Sequence, residues 1–299
     1  MALSKFIITD IMPFNIGLIM EGGQAFRWLR GENGEYIGVV GKRVIAAKQD
    51  CEQLEVEMYS ESDETYDEAL CFLINYFDVE RDYKSIEKRM AQYKELQPAV
   101  TFASGSRILR QDPWETTVSF ILSANNSIRN IRNTIERMCR EYGNPILFCG
   151  KTYYTFPRPE ALACLTEREL RTTKCGFRAR RIIDTAKMVC EGHIDLHSLQ
   201  SFPTSVARCE LLRLPGVGKK VADCIMLFSM GKYDAFPIDV WIKRCIEYIY
   251  FDSQEIPFEK LNEFAEAKFK DMAGFVQQYL FHYARANWEN FIQKNLQRV

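Results

Sequence analysis

At 299 residues the chain is about twice a typical domain, long enough for two domains with substantial cores. Hydrophobic residues at 47% and charged residues at 26% exclude a disordered, collagen-like or coiled-coil chain, and no apolar run approaches the ~18 residues that span a bilayer. The net charge of −1 hides a split: residues 1–99 hold 11 Lys/Arg against 18 Asp/Glu, the remainder 28 against 22. A nucleic-acid partner is therefore expected along the C-terminal part. The acid at Asp10 interrupts the first apolar stretch too early for a signal peptide, which points to a soluble protein that is not exported. The ten cysteines are scattered from Cys51 to Cys245 with no C-x-x-C pair. Reduced thiols are expected, with no metal cluster and no cofactor.

From Pro13 to Ser60 the sequence reads as short β segments, with turn signals at Gly22-Gly23, between Gly31 and Gly34, and at Gly41-Lys42. Residues 36–40 and 44–47 are expected to be antiparallel neighbours. A solvated acidic stretch from Glu61 to Glu68 leads into a helical pattern of Tyr66, Leu70, Leu73, Ile74 and Phe77. After about Pro98 the strand signal disappears, and helices joined by Gly/Pro punctuation follow, with a hinge near residues 101–105. Asp112-Pro113-Trp114-Glu115 spells a helix start: an acid at the cap, proline at the first helical position, and Glu three residues after the cap.

Residues 205–231 carry the most specific signal. Leu214-Pro215-Gly216-Val217-Gly218-Lys219-Lys220 reads as a tight turn between two helices, with glycines that leave backbone N–H groups uncovered. A Walker loop fails at Arg213 and Lys220, and a dinucleotide fingerprint fails at Val221. What remains is a helix-hairpin-helix whose amides grip a phosphate without reading bases, or an ordinary helical turn that needs glycines. Lys220 falls on the first turn of the second helix, where the dipole and Lys219 both disfavour a further cation. It reads as a nucleophilic amine or as one more phosphate contact. Nineteen residues on, Asp239 reads as an N-cap for the apolar-periodic helix from Trp241 to Tyr250, and a carboxylate fixed there also suits stabilisation of a sugar cation.

The L-P-G-V-G-x-K run, followed about twenty residues on by P-x-D-V, resembles the helix-hairpin-helix (HhH-GPD) DNA glycosylases. Further pieces resemble their 8-oxoguanine DNA glycosylase/AP lyase branch of the eukaryotic type. These are residues 22–28 (G-G-Q-A-F-R-W), residues 110–115 (R-Q-D-P-W-E) with Asn125-Asn126, residues 219–224 (K-K-V-A-D-C), and residues 273–281 (A-G-F-V-Q-Q-Y-L-F). The resemblance implies an α+β fold, with an N-terminal antiparallel sheet plus helices over 1–100 and a two-lobed helical glycosylase region over 101–299. The lobes are expected at roughly 106–190 with 260–299, and at 191–259. The final helix, around Gly274 to Ile292, is expected to return to the first lobe.

The resemblance also implies roles. Lys220 attacks the deoxyribose C1′ and forms a Schiff base, with Asp239 as the essential carboxylate. Gly23 offers its carbonyl to N7–H of 8-oxoguanine, Gln277 bonds the Watson–Crick edge, and Phe281 and Cys224 sandwich the base. Asn125 fills the gap left in the stack, Phe177 wedges beside the estranged base, and Arg178 contacts the partner cytosine. Gly216, Val217, Gly218 and Lys219 hold the phosphate. The family's second cytosine-reading arginine falls at Asn130, its wedge tyrosine is Phe177, and the histidine that follows D-V is Trp241. Recognition of 8-oxoguanine with weakened preference for opposite cytosine is therefore expected.

The implied partner is duplex DNA containing 8-oxoguanine, met by a monomer at no membrane, in an intracellular, DNA-associated location (nuclear in a eukaryote). The basic run Arg168, Arg171, Lys174, Arg178, Arg180, Arg181 and Lys187 is expected to track phosphates. The alternatives are a glycosylase for another damaged base and a non-catalytic DNA-binding module.

Overall fold

The computed structural model describes residues 2–60 and 63–296, with side-chain environments for 3–60 and 63–287. Glu61 and Ser62 of the acidic stretch lie outside the described residues. The N-terminal part is a five-stranded antiparallel sheet of β1 (Ala2–Ile8), β2 (Trp28–Arg30), β3 (Tyr36–Val40), β4 (Arg43–Asp50) and β5 (Gln53–Ser60), in the order β1-β5-β4-β3-β2. The expected pairing of β3 with β4 is present, with Gly38 opposite Ile45. Alternation puts Phe6, Ile8, Ile45, Ala47, Leu54, Val56 and Met58 on one face. They pack there against α1 (Ile16–Glu21) and α2 (Tyr66–Tyr76).

Helix α1 occupies part of the stretch read as β. Asn15 caps it by accepting from Leu18 N, and Ile16, Ile19 and Met20 share its buried face, a helical spacing that the neighbouring turn signals obscured. Residues 22–27, a turn signal followed by part of the stretch read as short β segments, are irregular until β2 begins at Trp28. Helix α2 begins at a reciprocal Thr65/Glu68 capping box, and its buried face is Ala69, Leu73 and Tyr76, with Tyr66 left exposed.

The remaining helices are α3 (Tyr83–Met90), α4 (Gln97–Phe102), α5 (Pro113–Ser123), α6 (Ile128–Tyr142), α7 (Pro159–Ala163), α8 (Glu167–Arg171), α9 (Ala179–Cys190), α10 (Thr204–Leu211), α11 (Lys219–Ser229), α12 (Val240–Tyr250), α13 (Phe258–Phe269) and α14 (Ala273–Leu296). They share one apolar core, α3 and α4 included. Strand signal does not end at Pro98. A hairpin of β6 (Pro145–Phe148) and β7 (Lys151–Tyr154) turns at Cys149-Gly150, and its Ile146 and Phe148 cover Val39 and Val44 on the sheet's other face. Four-residue strands are too short to establish a period, which is why the sequence reading passed over them.

The expected hinge at 101–105 is a clamped junction. Gly105 N donates to Glu87 at 2.9 Å, Asn15 N donates to Gly105 O at 2.9 Å, and the buried Arg107 guanidinium donates to the carbonyls of Asp78 and Ile11. A charge buried on several carbonyls resists opening, because separation would strand it without partners. Helix α14 returns across α4 and α12, with non-helical backbone at Asn287, and no helix among the described residues is long and apolar enough to cross a membrane.

Candidate active site

The hairpin between α10 and α11 adopts the shape that its glycines predict. Gly216 has φ +85°, and a Cβ there would meet Arg181 Cδ at 2.5 Å, so glycine is required both by conformation and by space. Gly218 is the N-cap of α11 with no side-chain cap, which leaves the leading amides for an anion. Buried Asp223 accepts from Arg208 Nε at 2.8 Å and so ties α11 to α10. Lys219 lies beside Glu266 at 3.6 Å.

Lys220 reaches into a cleft of about 1170 Å³ that Lys219, Gly23, Asn125, Cys224, Asp239, Gln277 and Phe281 also line. Its Nζ donates to Ser123 Oγ at 3.4 Å and sits 5.2 Å from the Phe120 ring centroid. The Ser123 hydroxyl donates to Phe120 O at 2.7 Å. Its proton is thereby occupied, and the oxygen meets Lys220 as an acceptor. One turn on, Cys224 is buried, and burial pushes its thiol up to about 11, with the charges of Lys220 and Asp239 both within electrostatic reach. That thiol is a neutral apolar wall. Asp239 is the N-cap of α12 and accepts from Ile242 N at 2.9 Å, which fixes its carboxylate.

Helix α14 presents Gln277, Phe281 and Arg285 to the cleft at four-residue intervals. Gln277 is 5% exposed, and its Oε1 is buried without a hydrogen-bond partner. An amide oxygen in that state is costly unless a ligand donates to it. Gly23, at φ +71°, lies close to the Phe281 ring: a Cβ added there would stand 3.1 Å from Ile128 Cδ1 and 3.5 Å from Phe281 Cε1. The structure thus gathers Lys220, Asp239, Gly23, Cys224, Gln277, Phe281 and Asn125 around one cavity.

The opposite-strand residues are placed differently. Asn125 has left-handed backbone at φ +49°, while Asn126 is held inward by its bond to Leu122 O. Phe177 is 54% exposed, which suits a wedge. Arg178, expected to face a cytosine, is instead 7% exposed: it donates to Asn125 O at 3.0 Å, to Ala124 O, and lies over the Phe177 ring at 4.3 Å. It fixes the Asn125 loop here. The basic run is divided between α8, the following segment and α9, and part of it is answered locally, by Arg171–Glu167 at 2.8 Å and Arg180–Asp184 at 2.6 Å. Fewer of its cations than the count suggests are open to a phosphate backbone.

Ser123, Arg129, Gln278 and Arg285 also line the cleft and were missed from sequence. Extending the four-residue face of Gln277 and Phe281 by one step finds Arg285, but nothing local marks the others. Behind the cleft, burial, followed by the charge of Arg285, lowers the His282 imidazole from 6.5 to about 4. A histidine buried neutral stabilises the fold fully above its solution value, and that contribution is lost as pH falls toward the folded value. From the shift, it amounts to about 3 kcal/mol at most. Denaturation of wild type and His282→Gln is expected to show a steeper loss of stability between pH 6.5 and 4 in the wild type. Parallel pH curves would show that the ring is not the responsible group.

Comparison with known proteins agrees with this geometry. Residues 6–117 match the 8-oxoguanine DNA glycosylase N-terminal domain, and residues 118–272 match the HhH-GPD superfamily base excision DNA repair protein family. The chain is 34% identical over 229 residues to a probable N-glycosylase/DNA lyase of Methanothermobacter thermautotrophicus, covering 70% of this chain and 71% of that one. It is 33% identical over 252 residues to the N-glycosylase/DNA lyase of Saccharomyces cerevisiae, covering 78% and 67%. Among solved structures, MBOgg1 in complex with a low affinity DNA ligand superposes with TM-score 0.90 at 42% identity, covering 96% and 99% of the two chains. The Clostridium acetobutylicum 8-oxoguanine glycosylase/lyase, in complex with duplex DNA containing cytosine opposite 8-oxoguanine, superposes with TM-score 0.90 at 37% identity, covering 96% and 98%. The antiparallel sheet joined to a helical region, the glycine hairpin and these matches together establish that the chain belongs to the HhH-GPD superfamily of base-excision DNA repair proteins, in the branch of N-glycosylase/DNA lyases that carry the 8-oxoguanine glycosylase N-terminal domain.

Proposed function

We propose that this protein excises 8-oxoguanine from duplex DNA and then cleaves the strand at the resulting sugar. The observation that carries this reading is one cleft lined by an amine, a capped carboxylate and a buried amide oxygen without a partner. Lys220 Nζ attacks C1′ as the bond from C1′ to N9 breaks, and the base leaves with the electron pair. Asp239 stabilises the positive charge that develops on the sugar. Loss of a proton and opening of the sugar ring convert the adduct to a Schiff base. Removal of a proton from C2′ then expels the 3′ phosphate by β-elimination, and water hydrolyses the imine to free the lysine.

Gln277 Oε1 is an acceptor, and the Watson–Crick edge of a guanine offers donors at N1 and N2. The Gly23 carbonyl is the element that separates the lesion from guanine: N7 of 8-oxoguanine carries a proton, whereas guanine has a lone pair there and leaves the carbonyl unpaired. Phe281 and Cys224 bracket the base, Asn125 and Phe177 occupy the duplex, and the 216–219 hairpin holds a backbone phosphate. In this reading the protein acts on DNA as a monomer, inside the cell.

Preference for opposite cytosine is weak in this reading. Asn130 supplies no guanidinium and donates its backbone N–H to Ser127, and Arg178 is engaged with the Asn125 loop. A bidentate arginine contact discriminates by about 1–3 kcal/mol, so without it rates opposite C, A, G and T are expected to lie within about tenfold. Single-turnover excision from the four duplexes checks this, and a preference for cytosine above about a hundredfold would contradict it.

A further inference from the structure

The backbone around Gly23 is pinned on both sides by glutamine side chains. Gly22 O accepts from Gln278 Nε2 at 3.2 Å, and Gln24 O accepts from Gln111 Nε2 at 2.8 Å. The Gln24 side chain, itself buried, accepts from Leu109 N at 2.9 Å and donates to Arg107 O at 2.7 Å. Gln278 is 1% exposed, and its amide nitrogen is also 3.4 Å from His282 Nε2, which in turn lies 3.0 Å from Ser106 Oγ. Packing at Gly22 leaves no slack: a Cβ would stand 2.7 Å from His282 Cε1 and 2.8 Å from Gln278 Nε2.

A peptide that follows a glycine of positive φ has little steric restraint of its own, so its carbonyl is free to rotate unless the neighbouring peptides are held. Here the carbonyls on either side of the Gly23 carbonyl are each taken by a buried or half-buried amide. We propose that Gln278, with Gln111, is a positioning residue for lesion discrimination. By fixing the peptides before and after, the two side chains hold the Gly23 carbonyl in the single direction that meets N7–H of the extruded base. Gln278 stands beside Gln277 in sequence yet about 100° away around the helix, so one amide addresses the base while the other addresses the backbone that reads it. The inference rests on the 8-oxoguanine reading above.

The test pairs a protein change with a substrate change. Gln278→Met keeps the bulk and removes the donors. An 8-oxoguanine analogue with carbon in place of N7 removes the proton that the carbonyl would accept. Affinities are measured by competition in the Lys220→Gln background, and strand cleavage by the Gln278→Met single variant on a duplex with a preformed abasic site reports on the rest of the machinery. Expected is a preference for 8-oxoguanine over the carbon analogue of about tenfold that shrinks to about twofold or less with Gln278→Met, while abasic-site cleavage is maintained. Gly22→Ala, which displaces the same amide, is expected to act likewise. An unchanged preference in both variants overturns the proposal, and so does a parallel fall in abasic-site cleavage, since that describes general support of the fold. If the wild type cleaves abasic sites yet excises no 8-oxoguanine, the functional reading itself fails and the clamp's role falls with it.

Discussion

Lys220→Gln is expected to abolish borohydride cross-linking to an 8-oxoguanine duplex and to lower excision by more than about 10⁴-fold, the scale on which removal of a nucleophile acts. The substitution keeps a polar side chain of similar reach, so the cleft wall and the contact near Ser123 are conserved in shape while the amine is lost. Lesion binding is expected to survive, because Gln277, Phe281 and Gly23 are untouched. The neighbouring amine is not expected to rescue the variant: Lys219 also borders the cleft, but it lies about 100° around α11 from Lys220 and is 3.6 Å from Glu266. Gel-shift titration and single-turnover kinetics on the same preparation separate the two effects. Residual cross-linking in the variant would mean that another amine attacks.

Asp239→Asn separates chemistry from stability. Asparagine caps a helix about as well as aspartate, so the bond to Ile242 N and the start of α12 are expected to persist, with thermal stability changed by less than about 0.5 kcal/mol. The charge, however, is gone, and loss of one preorganised electrostatic partner costs about 10²–10³ in rate. Asp239→Ala is expected to lose both, the cap accounting for about 1 kcal/mol. Excision rates and melting temperatures for the pair decide between the roles: if Asp239→Asn excises normally, the carboxylate is a cap and nothing more.

The parts of this site that the sequence made legible are those where spacing alone determines geometry. A glycine turn before a helix places Lys220 on its first turn, four residues set Cys224 above it, and an acid before an apolar-periodic stretch caps α12 with Asp239. Direction and company are less legible. Nothing in the run of Gln277-Gln278 says which amide bonds the backbone at Gly22, since that depends on how α14 lies against it. Arg178 reads as an exposed cation, but the left-handed turn at Asn125 presents carbonyls that capture it. The α1 helix and the β6–β7 hairpin were lost for a simpler reason: elements of four to six residues offer too few periods to distinguish from loop, and it is burial against the sheet that marks them.

The attacking amine is the claim on which the rest depends. Wild-type protein should be trapped with borohydride on an 8-oxoguanine duplex, digested, and the adducted peptide sequenced by mass spectrometry. The account predicts a single reduced adduct on Lys220. An adduct on Lys219 or any other residue, or excision that proceeds with no trapped species, would contradict it.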